Sequence, residues 1–113
     1  MNLATSVENF PDHAILHVDG RIDTVTADAV AAVAVPLAEN EKNRRVILDF
    51  AKVPYLSSAG LRVVFQLIKL LRQGGRENGL FIAGPNQIVM DVFKTVGFDR
   101  LINFRDTVKD CLS

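Results

Sequence analysis

Several features that mark specialised classes of protein are scarce in this sequence. Its 113 residues include one cysteine, Cys111, so an internal disulfide, a thiolate metal cluster and a paired redox motif are all excluded. Lys plus Arg equals Asp plus Glu at 13 each, and this zero net charge favours neither nucleic acid nor an anionic membrane as a partner. No apolar run approaches the length of a membrane span, so we expect no direct membrane insertion. The first eight residues lack the features of a secretory signal, so we expect a cytoplasmic protein.

The motifs of common enzyme classes are missing as well. The glycines form neither a dinucleotide fingerprint nor a phosphate-binding loop, and Ser57-Ser58 does not stand in the Gly-x-Ser-x-Gly elbow of a hydrolase. His13 and His17 fall on one face of a predicted strand with Ile15, but no third metal ligand stands nearby, which favours ordinary strand histidines. We therefore expect no enzyme, no cofactor and no metal site.

The composition that remains is that of an ordinary globular domain. Hydrophobic residues make up 49% of the chain and charged residues 23%. A chain of this length buries roughly 65% of its unfolded surface on folding, which is enough for one core. We expect a single domain over residues 1–113.

Hydrophobic periodicity predicts an early hairpin and then a helix. Alternation from Asn2 to Val7 and again over 14–18 indicates two strands joined by a turn. A helix is predicted from Thr26, and Pro36 should stop or kink it near Val35 because proline lacks the backbone donor and crowds the preceding turn.

The rest of the chain alternates between strands and helices. Strands are predicted over 44–50, 79–84 and 101–104, the first of them central in the sheet and covered on both faces. The second helix should end at Gly74-Gly75 in left-handed conformations, the third should follow Pro85-Asn86, and Asp106 should cap a short terminal helix. The apolar stripes expected to be buried are Leu61, Val64, Phe65, Ile68 and Leu71 in the second helix and Val89, Val92, Phe93 and Val96 in the third.

This order, β-β-α-β-α-β-α-β-α, predicts an α/β fold. Strand–helix–strand units need right-handed crossovers, which coil the chain into a four- to five-stranded mixed sheet with helices mainly on one face. The densest basic stretch, Lys69, Arg72 and Arg76, lies near the end of the second helix, where cations complement the helix dipole, and this interpretation is favoured over an anion site.

The segment from Tyr55 to Leu61 places two hydroxyls at a helix start. Ser58 is predicted to be the N-cap, accepting from the free amide of Gly60 or Leu61, and that structural role alone would explain it. A functional role is also compatible with the position, because a helix N-terminus stabilises the charge of about −1.5 to −2 that a phosphate on Ser58 would carry. A partner covering the same helix start would have to desolvate that charge.

Four segments in this order resemble the STAS domains, the family of anti-sigma factor antagonists. Residues 46–50 followed by 57–61 resemble the core signature, and Gly20-Arg21-Ile22-Asp23 is similar to the turn after the second strand. Gly74-Gly75 with 80–84, and then 93–98, resemble the later helix-to-strand passage and the closing turn. The resemblance covers nearly the whole chain and implies a right-handed β-α superhelix.

The resemblance also implies a function. In phosphorylated members of the family the loop is Asp-Ser-Ser/Thr-Gly-Leu, and alignment on Gly60-Leu61 places Ser58 at the phosphate acceptor and Ser57 at the aspartate. The implied cycle is capture of an anti-sigma factor serine kinase by the dephosphorylated protein, release of the sigma factor, and restoration by a serine phosphatase. The implied docking face consists of Asp23, Thr24, Ser57, Ser58, Ala59, Gly60 and Leu61.

Two positions depart from that loop. Ser57 replaces the carboxylate and Ala59 replaces the second hydroxyl. A neutral neighbour removes charge repulsion against a phosphate and also removes a feature that a kinase could recognise. The alternative is therefore a non-phosphorylated STAS subunit of a signalling complex or ABC transporter, and a third hypothesis, a small enzyme, requires a deep polar pocket.

Overall fold

Five strands form one sheet in the computed structural model, which describes residues 3–112. The strands are β1 (Ala4–Asn9), β2 (His13–Asp19), β3 (Arg45–Lys52), β4 (Leu80–Ala83) and β5 (Asn103–Arg105). They are ordered in space as along the chain, with β1 antiparallel to β2 and every other neighbouring pair parallel. The predicted hairpin, the central β3 and the mixed sheet are confirmed; Asn2, predicted to begin the first strand, lies outside the described residues.

Three helices cover one face of this sheet, as predicted. They are α1 (Ala27–Glu39), α2 (Ser58–Gln73) and α3 (Gln87–Thr95). Their buried side chains meet the inward residues of the strands in one large cluster, whose biggest members include Leu16, Leu48, Phe50, Leu67, Leu71, Ile82 and Phe93. Within residues 3–112, no helix combines the length and apolar character that crossing a membrane requires.

The second face of the sheet carries a smaller apolar cluster. A 3₁₀ turn, Lys109–Leu112, brings the fully buried Cys111 against Ile47 and Phe81. Burial raises the pKa of the Cys111 thiol, as expected for a small apolar side chain in a core. The predicted terminal helix is thus a 3₁₀ turn, and Asp106 does not cap it: Thr107 Oγ1 accepts from the backbone N–H of Asp110 at 3.2 Å.

The predicted stop of the first helix at Pro36 is wrong, and the kink predicted as its alternative stays a prediction. Helix α1 continues through it to Glu39, and the N–H of Asn40 still donates to the carbonyl of Pro36 at 3.1 Å. Ala32, whose carbonyl loses its helical donor, is exposed like Pro36, so water can satisfy that carbonyl. Ala34 and Ala38 on the opposite side are fully buried, and their packing holds the helical path.

Two side chains predicted to be buried are exposed instead. Phe65 is 42% exposed and Val96 is 46% exposed, while Val63 and Leu67 take inward positions on α2. A helix turns about 100° per residue, so the stripe centred on Val64 and Leu67 leaves Phe65 at its outer edge. Val96 follows the last residue of α3 and lies beyond the buried face.

The end of α2 differs in detail from the prediction. Gly75 has a left-handed φ of 75° but Gly74 does not, with φ of −89°. Arg72 lies in the last turn, as the dipole interpretation requires. Arg76 instead reaches α1, where its guanidinium donates to the carbonyls of Ala38, Asn40 and Asn43 at 2.8, 3.1 and 2.7 Å. The free carbonyls at and just after the end of α1 are therefore satisfied by the side chain of Arg76, which follows the end of α2.

The two histidines are bound by carboxylates on the strand surface. His17 is opposite Asp49 in the β2–β3 register; its Nδ1 lies 2.6 Å from Asp49 Oδ2 and its Nε2 lies 2.6 Å from Glu8 Oε2, and both nitrogens donate when the imidazole is protonated. The hydrogen bond to Glu8, followed by that to Asp49, raises the pKa of His17 above its usual value. His13 makes a 2.8 Å hydrogen bond with the neighbouring Asp12.

Candidate docking site at the start of α2

Two loops lie side by side where β2 and β3 end. A single parallel bridge joins Ile22 to Leu56. The N–H of Ile22 donates to the carbonyl of Tyr55 at 3.0 Å, and the N–H of Ser57 donates to the carbonyl of Ile22 at 2.8 Å. These bonds bring the loop that carries Asp23 and Thr24 against the first turn of α2.

The residue that caps α2 is Ser57, so the prediction of Ser58 as N-cap is wrong by one position. Ser57 has an extended backbone, its carbonyl accepts from Leu61 at 2.9 Å, and its Oγ accepts from the N–H of Gly60 at 3.4 Å. In the sequence both serines stand three residues before a possible donor, but in the structure the N–H of Leu61 is already bonded to the carbonyl of Ser57, and the extended backbone at Ser57 makes it the cap. Ser58 is the first helical residue, is exposed, and makes no side-chain hydrogen bond within residues 3–112.

Gly60 is buried because the first turn of α2 lies directly on the bridged loop residues. A Cβ at this position would lie 2.4 Å from Leu56 Cδ1 and 2.9 Å from Ile22 Cγ2. Such distances require the neighbours to move, so glycine allows the close approach. Gly60 therefore contributes to the candidate face by letting the helix start pack closely on the loop beneath it. A partner can reach the exposed Thr24 and Ser58 directly, and the half-buried Ala59 and Leu61 in part.

The loop beside the helix start is held by a compact set of hydrogen bonds. Asp23 Oδ1 accepts from the N–H groups of Val25 and Thr26, both at 3.0 Å. Thr26 Oγ1 donates to the carbonyl of Arg21 at 2.7 Å and accepts from the N–H of Asp23 at 2.9 Å. The backbone hydrogen bond from Thr26, together with that from Val25, lowers the pKa of Asp23 below its usual value. Asp23 thus shapes the loop, and Thr26, which sequence reasoning missed, is its buried partner.

Apolar and aromatic surface surrounds these polar groups. Val25 is 69% exposed and Tyr55 is 37% exposed. The Arg21 guanidinium lies 4.5 Å from the centroid of the Tyr55 ring, a cation–π contact between the two side chains. No sequence pattern singled out Val25 or Arg21, because their exposure follows from the loop geometry. The combination of exposed apolar side chains with a polar helix start is suited to contact with another protein.

Comparison with known proteins gives a consistent result. The family model for the STAS domain matches residues 4–111. A protein of Bordetella bronchiseptica described as "Putative anti-sigma factor antagonist BtrV" is 39% identical over 80 residues, which are 70% of this chain and 66% of that protein. The chain thus spans slightly less than two thirds of BtrV.

Solved structures show the same fold. An anti-sigma factor antagonist from Mycobacterium paratuberculosis gives a TM-score of 0.82 at 22% identity, covering 98% of this chain and 92% of its own. Unphosphorylated SpoIIAA, also an anti-sigma factor antagonist, gives 0.80 at 16% identity, with 96% and 93% covered. Phosphorylated SpoIIAA of Bacillus gives 0.74 at 15% identity, with 96% of both chains covered.

Proposed function

Because the chain belongs to the STAS domain family, we propose that it is an anti-sigma factor antagonist whose capture of an anti-sigma factor serine kinase is ended by phosphorylation of Ser58. The observation that carries the proposal is the exposed hydroxyl of Ser58 at the first position of α2. The proposed role requires binding and no catalytic group of this chain. A serine phosphatase would return the protein to its binding state, and the cycle would take place in the cytoplasm.

The division of roles between the two serines supports a reversible modification. Ser57 satisfies the amide of Gly60, so a phosphate on Ser58 leaves the cap of α2 in place. The aspartate that phosphorylated family members carry at the position of Ser57 is also a good N-cap, so the substitution preserves the structural task at this site. The fold can therefore accept the modification without losing its helix start.

The local electrostatics also favour a phosphate at Ser58. The first turn of α2 offers the positive end of the helix dipole, and the exposed Arg62 lies four residues further along the same helix face. No acidic residue lies in the first turn. A partner that buried this surface would have to desolvate a charge of about −1.5 to −2, which opposes binding strongly.

The named relatives support the same proposal. BtrV, the Mycobacterium protein and SpoIIAA carry the description of anti-sigma factor antagonist, and SpoIIAA occurs in unphosphorylated and phosphorylated forms. The face proposed here consists of Asp23, Thr24, Ser57, Ser58, Ala59, Gly60 and Leu61. Among these residues Gly60 acts by allowing close packing and the others by direct or partial exposure.

Mass measurement tests the phosphorylation step. The purified chain is incubated with ATP and an anti-sigma factor serine kinase from the same genome, and intact mass is recorded for the native protein, Ser58→Ala and the matched control Ser57→Ala. One phosphate is expected on the native protein and on the control, and none on Ser58→Ala. A phosphate retained in Ser58→Ala would place the modification elsewhere and refute the proposed acceptor.

A second candidate is a STAS subunit that is never phosphorylated and serves a signalling complex or ABC transporter. The neutral Ser57 and Ala59 favour it, since both differ from the loop of phosphorylated members. Its signature is stable capture of a partner together with the absence of any phosphate after kinase treatment. The same mass experiment, combined with co-purification of the partner, therefore separates the two candidates.

A further inference from the structure

The outer face of α2 carries a shallow groove that shares only Arg62 with the surroundings of Ser58 described above. Its volume is about 370 Å³, and it is lined by Arg62, Phe65, Gln66, Lys69, Leu70 and Gln73. The groove begins one helical turn after Ser58. It is therefore continuous with the candidate docking face while being built from different residues.

Phe65 is an ordered apolar side chain at the surface of this groove. It is 42% exposed, and its ring stacks on that of Phe98 with centroids 5.6 Å apart and planes 16° from parallel. The Lys69 ammonium lies 5.7 Å from the same ring. An aromatic ring held in this way loses little conformational entropy on binding, which is the property of an interface anchor.

The charge of the groove has one sign. Arg62 and Lys69 are exposed, none of the six lining residues is a carboxylate, and α2 has no Asp or Glu over its 16 residues. The whole chain is neutral, so this positive surface is a local concentration and not a property of a basic protein. Charge complementarity therefore points to an acidic occupant.

The spacing of these groups defines the occupant further. Arg62 and Lys69 are seven residues apart, which is about 10.5 Å along a helix axis, and Phe65 lies between them. A second helix with two carboxylates seven residues apart and an apolar side chain between them has the same spacing. We propose that this groove docks an acidic amphipathic helix of a partner protein, anchored chiefly by Phe65 and Lys69, with Arg62 as the one contact that a phosphate on Ser58 would partly neutralise.

An NMR titration of the intact chain tests this proposal with a defined probe. The probe is a synthetic helical peptide with two Glu residues seven positions apart and a Leu midway, and the control peptide carries Lys in place of both Glu residues. The Glu peptide is expected to shift the amides of residues 62–73, and the Lys peptide is not. Absence of these shifts, or equal shifts with both peptides, overturns the proposal.

Matched variants locate the binding surface. Phe65→Ala and Lys69→Glu are expected to weaken binding of the Glu peptide by about tenfold or more, while Lys42→Glu, an exposed change on the loop after α1, should alter it less than about threefold. Equal weakening by Lys42→Glu would show a nonspecific charge effect and contradict the groove. Because Phe65 and Lys69 are exposed, both variants should keep the native amide spectrum elsewhere.

Two further arms distinguish the possible outcomes. Vesicles containing phosphatidylserine should not co-sediment the chain, and co-sedimentation without peptide binding would assign the groove to a membrane and overturn the proposal. Ser58→Asp should retain peptide binding within about threefold, because Phe65 and Lys69 are unchanged and a charge at position 58 neutralises the exposed Arg62 only in part. If the native chain binds the Glu peptide but does not capture the kinase, the proposed function alone fails; if it captures the kinase but does not bind the peptide, the groove proposal alone fails.

Discussion

Ser57 Oγ accepts a hydrogen bond from the backbone N–H of Gly60, at 3.4 Å, while the adjacent Ser58 leaves its hydroxyl exposed to solvent. The two serines are chemically identical, yet the backbone assigns the structural task to the first and leaves the second available. This separation matters for function because a modification of Ser58 does not disturb the bond that starts α2. The assignment is testable by stability measurements on each serine alone.

Ser57→Ala should lower the free energy of unfolding by about 1 kcal/mol, the usual cost of removing a side-chain N-cap. Ser58→Ala should change it by less than about 0.5 kcal/mol, because the exposed hydroxyl makes no hydrogen bond within residues 3–112. Urea unfolding of the two variants and the native protein measures both values. An equal or larger loss in Ser58→Ala would show that the cap has been assigned to the wrong serine.

Gly60→Ala should destabilise the protein by about 1–3 kcal/mol, because the new methyl group would lie 2.4 Å from Leu56 Cδ1. The sign of the effect is diagnostic, since the same change in an unobstructed helix stabilises by roughly 0.5–1 kcal/mol. A double-mutant cycle with Leu56→Ala tests the cause. The cost of Gly60→Ala should fall by at least about 0.5 kcal/mol in the Leu56→Ala background, and strict additivity would rule out this contact.

Thr26→Val should cost about 1–3 kcal/mol of stability. The change removes the hydroxyl that donates to the carbonyl of Arg21 and accepts from the N–H of Asp23, and it leaves both backbone groups without those bonds. Thr24→Val is the matched control, because Thr24 is exposed and its substitution should shift the unfolding free energy by less than about 0.5 kcal/mol. Similar effects of the two substitutions would contradict the proposed role of Thr26.

Stability should depend on pH through His17. Its pKa is raised in the folded state by Glu8 first and Asp49 second, so the stabilisation is fully present below the unfolded pKa of about 6.5 and is lost as pH rises through the raised folded value. The unfolding free energy of the native protein should therefore fall from about pH 6 towards pH 8.

His17→Gln is the control for this pH dependence. The amide side chain does not titrate, so the fall in unfolding free energy with rising pH should be reduced in the variant. Chemical unfolding at a series of pH values measures the slope for both proteins. An unchanged slope in His17→Gln would assign the pH dependence to other groups.

Much of the fold was predictable because local patterns and global topology agree. The alternation in β1 and β2, the short apolar β3 and the glycine-rich helix ends each specified an element, and right-handed crossovers then placed the helices on one face. Propensity failed at Pro36, where exposure of Ala32 and Pro36 lets water satisfy the carbonyl that lost its donor. Hydrophobic periodicity gave a wrong prediction at Phe65, which it placed in the core although the ring stacks on Phe98 at the surface.

The candidate site was predictable in position and less so in detail. The segment 57–61 stood out because hydroxyls precede a helix, but the sequence pattern assigned the cap to Ser58, and only the backbone angles show that it is Ser57. Contacts between residues far apart in the sequence could not be predicted from any local sequence pattern. The bond network of Thr26 depends on the loop path, and the reach of Arg76 to the end of α1 spans more than 30 residues of sequence.

Negative charge at Ser58 should be enough to prevent capture of the anti-sigma factor, and a binding measurement can isolate that charge. Calorimetric titration of that factor compares the unphosphorylated native chain with Ser58→Asp and Ser57→Asp, which add the same charge at adjacent positions. Ser58→Asp is expected to weaken binding by about tenfold or more, while Ser57→Asp, which retains a capping oxygen and introduces the aspartate that phosphorylated family members carry there, should stay within about threefold of the native protein. Native affinity in Ser58→Asp, or equal weakening in both variants, would contradict this role of the charge at Ser58.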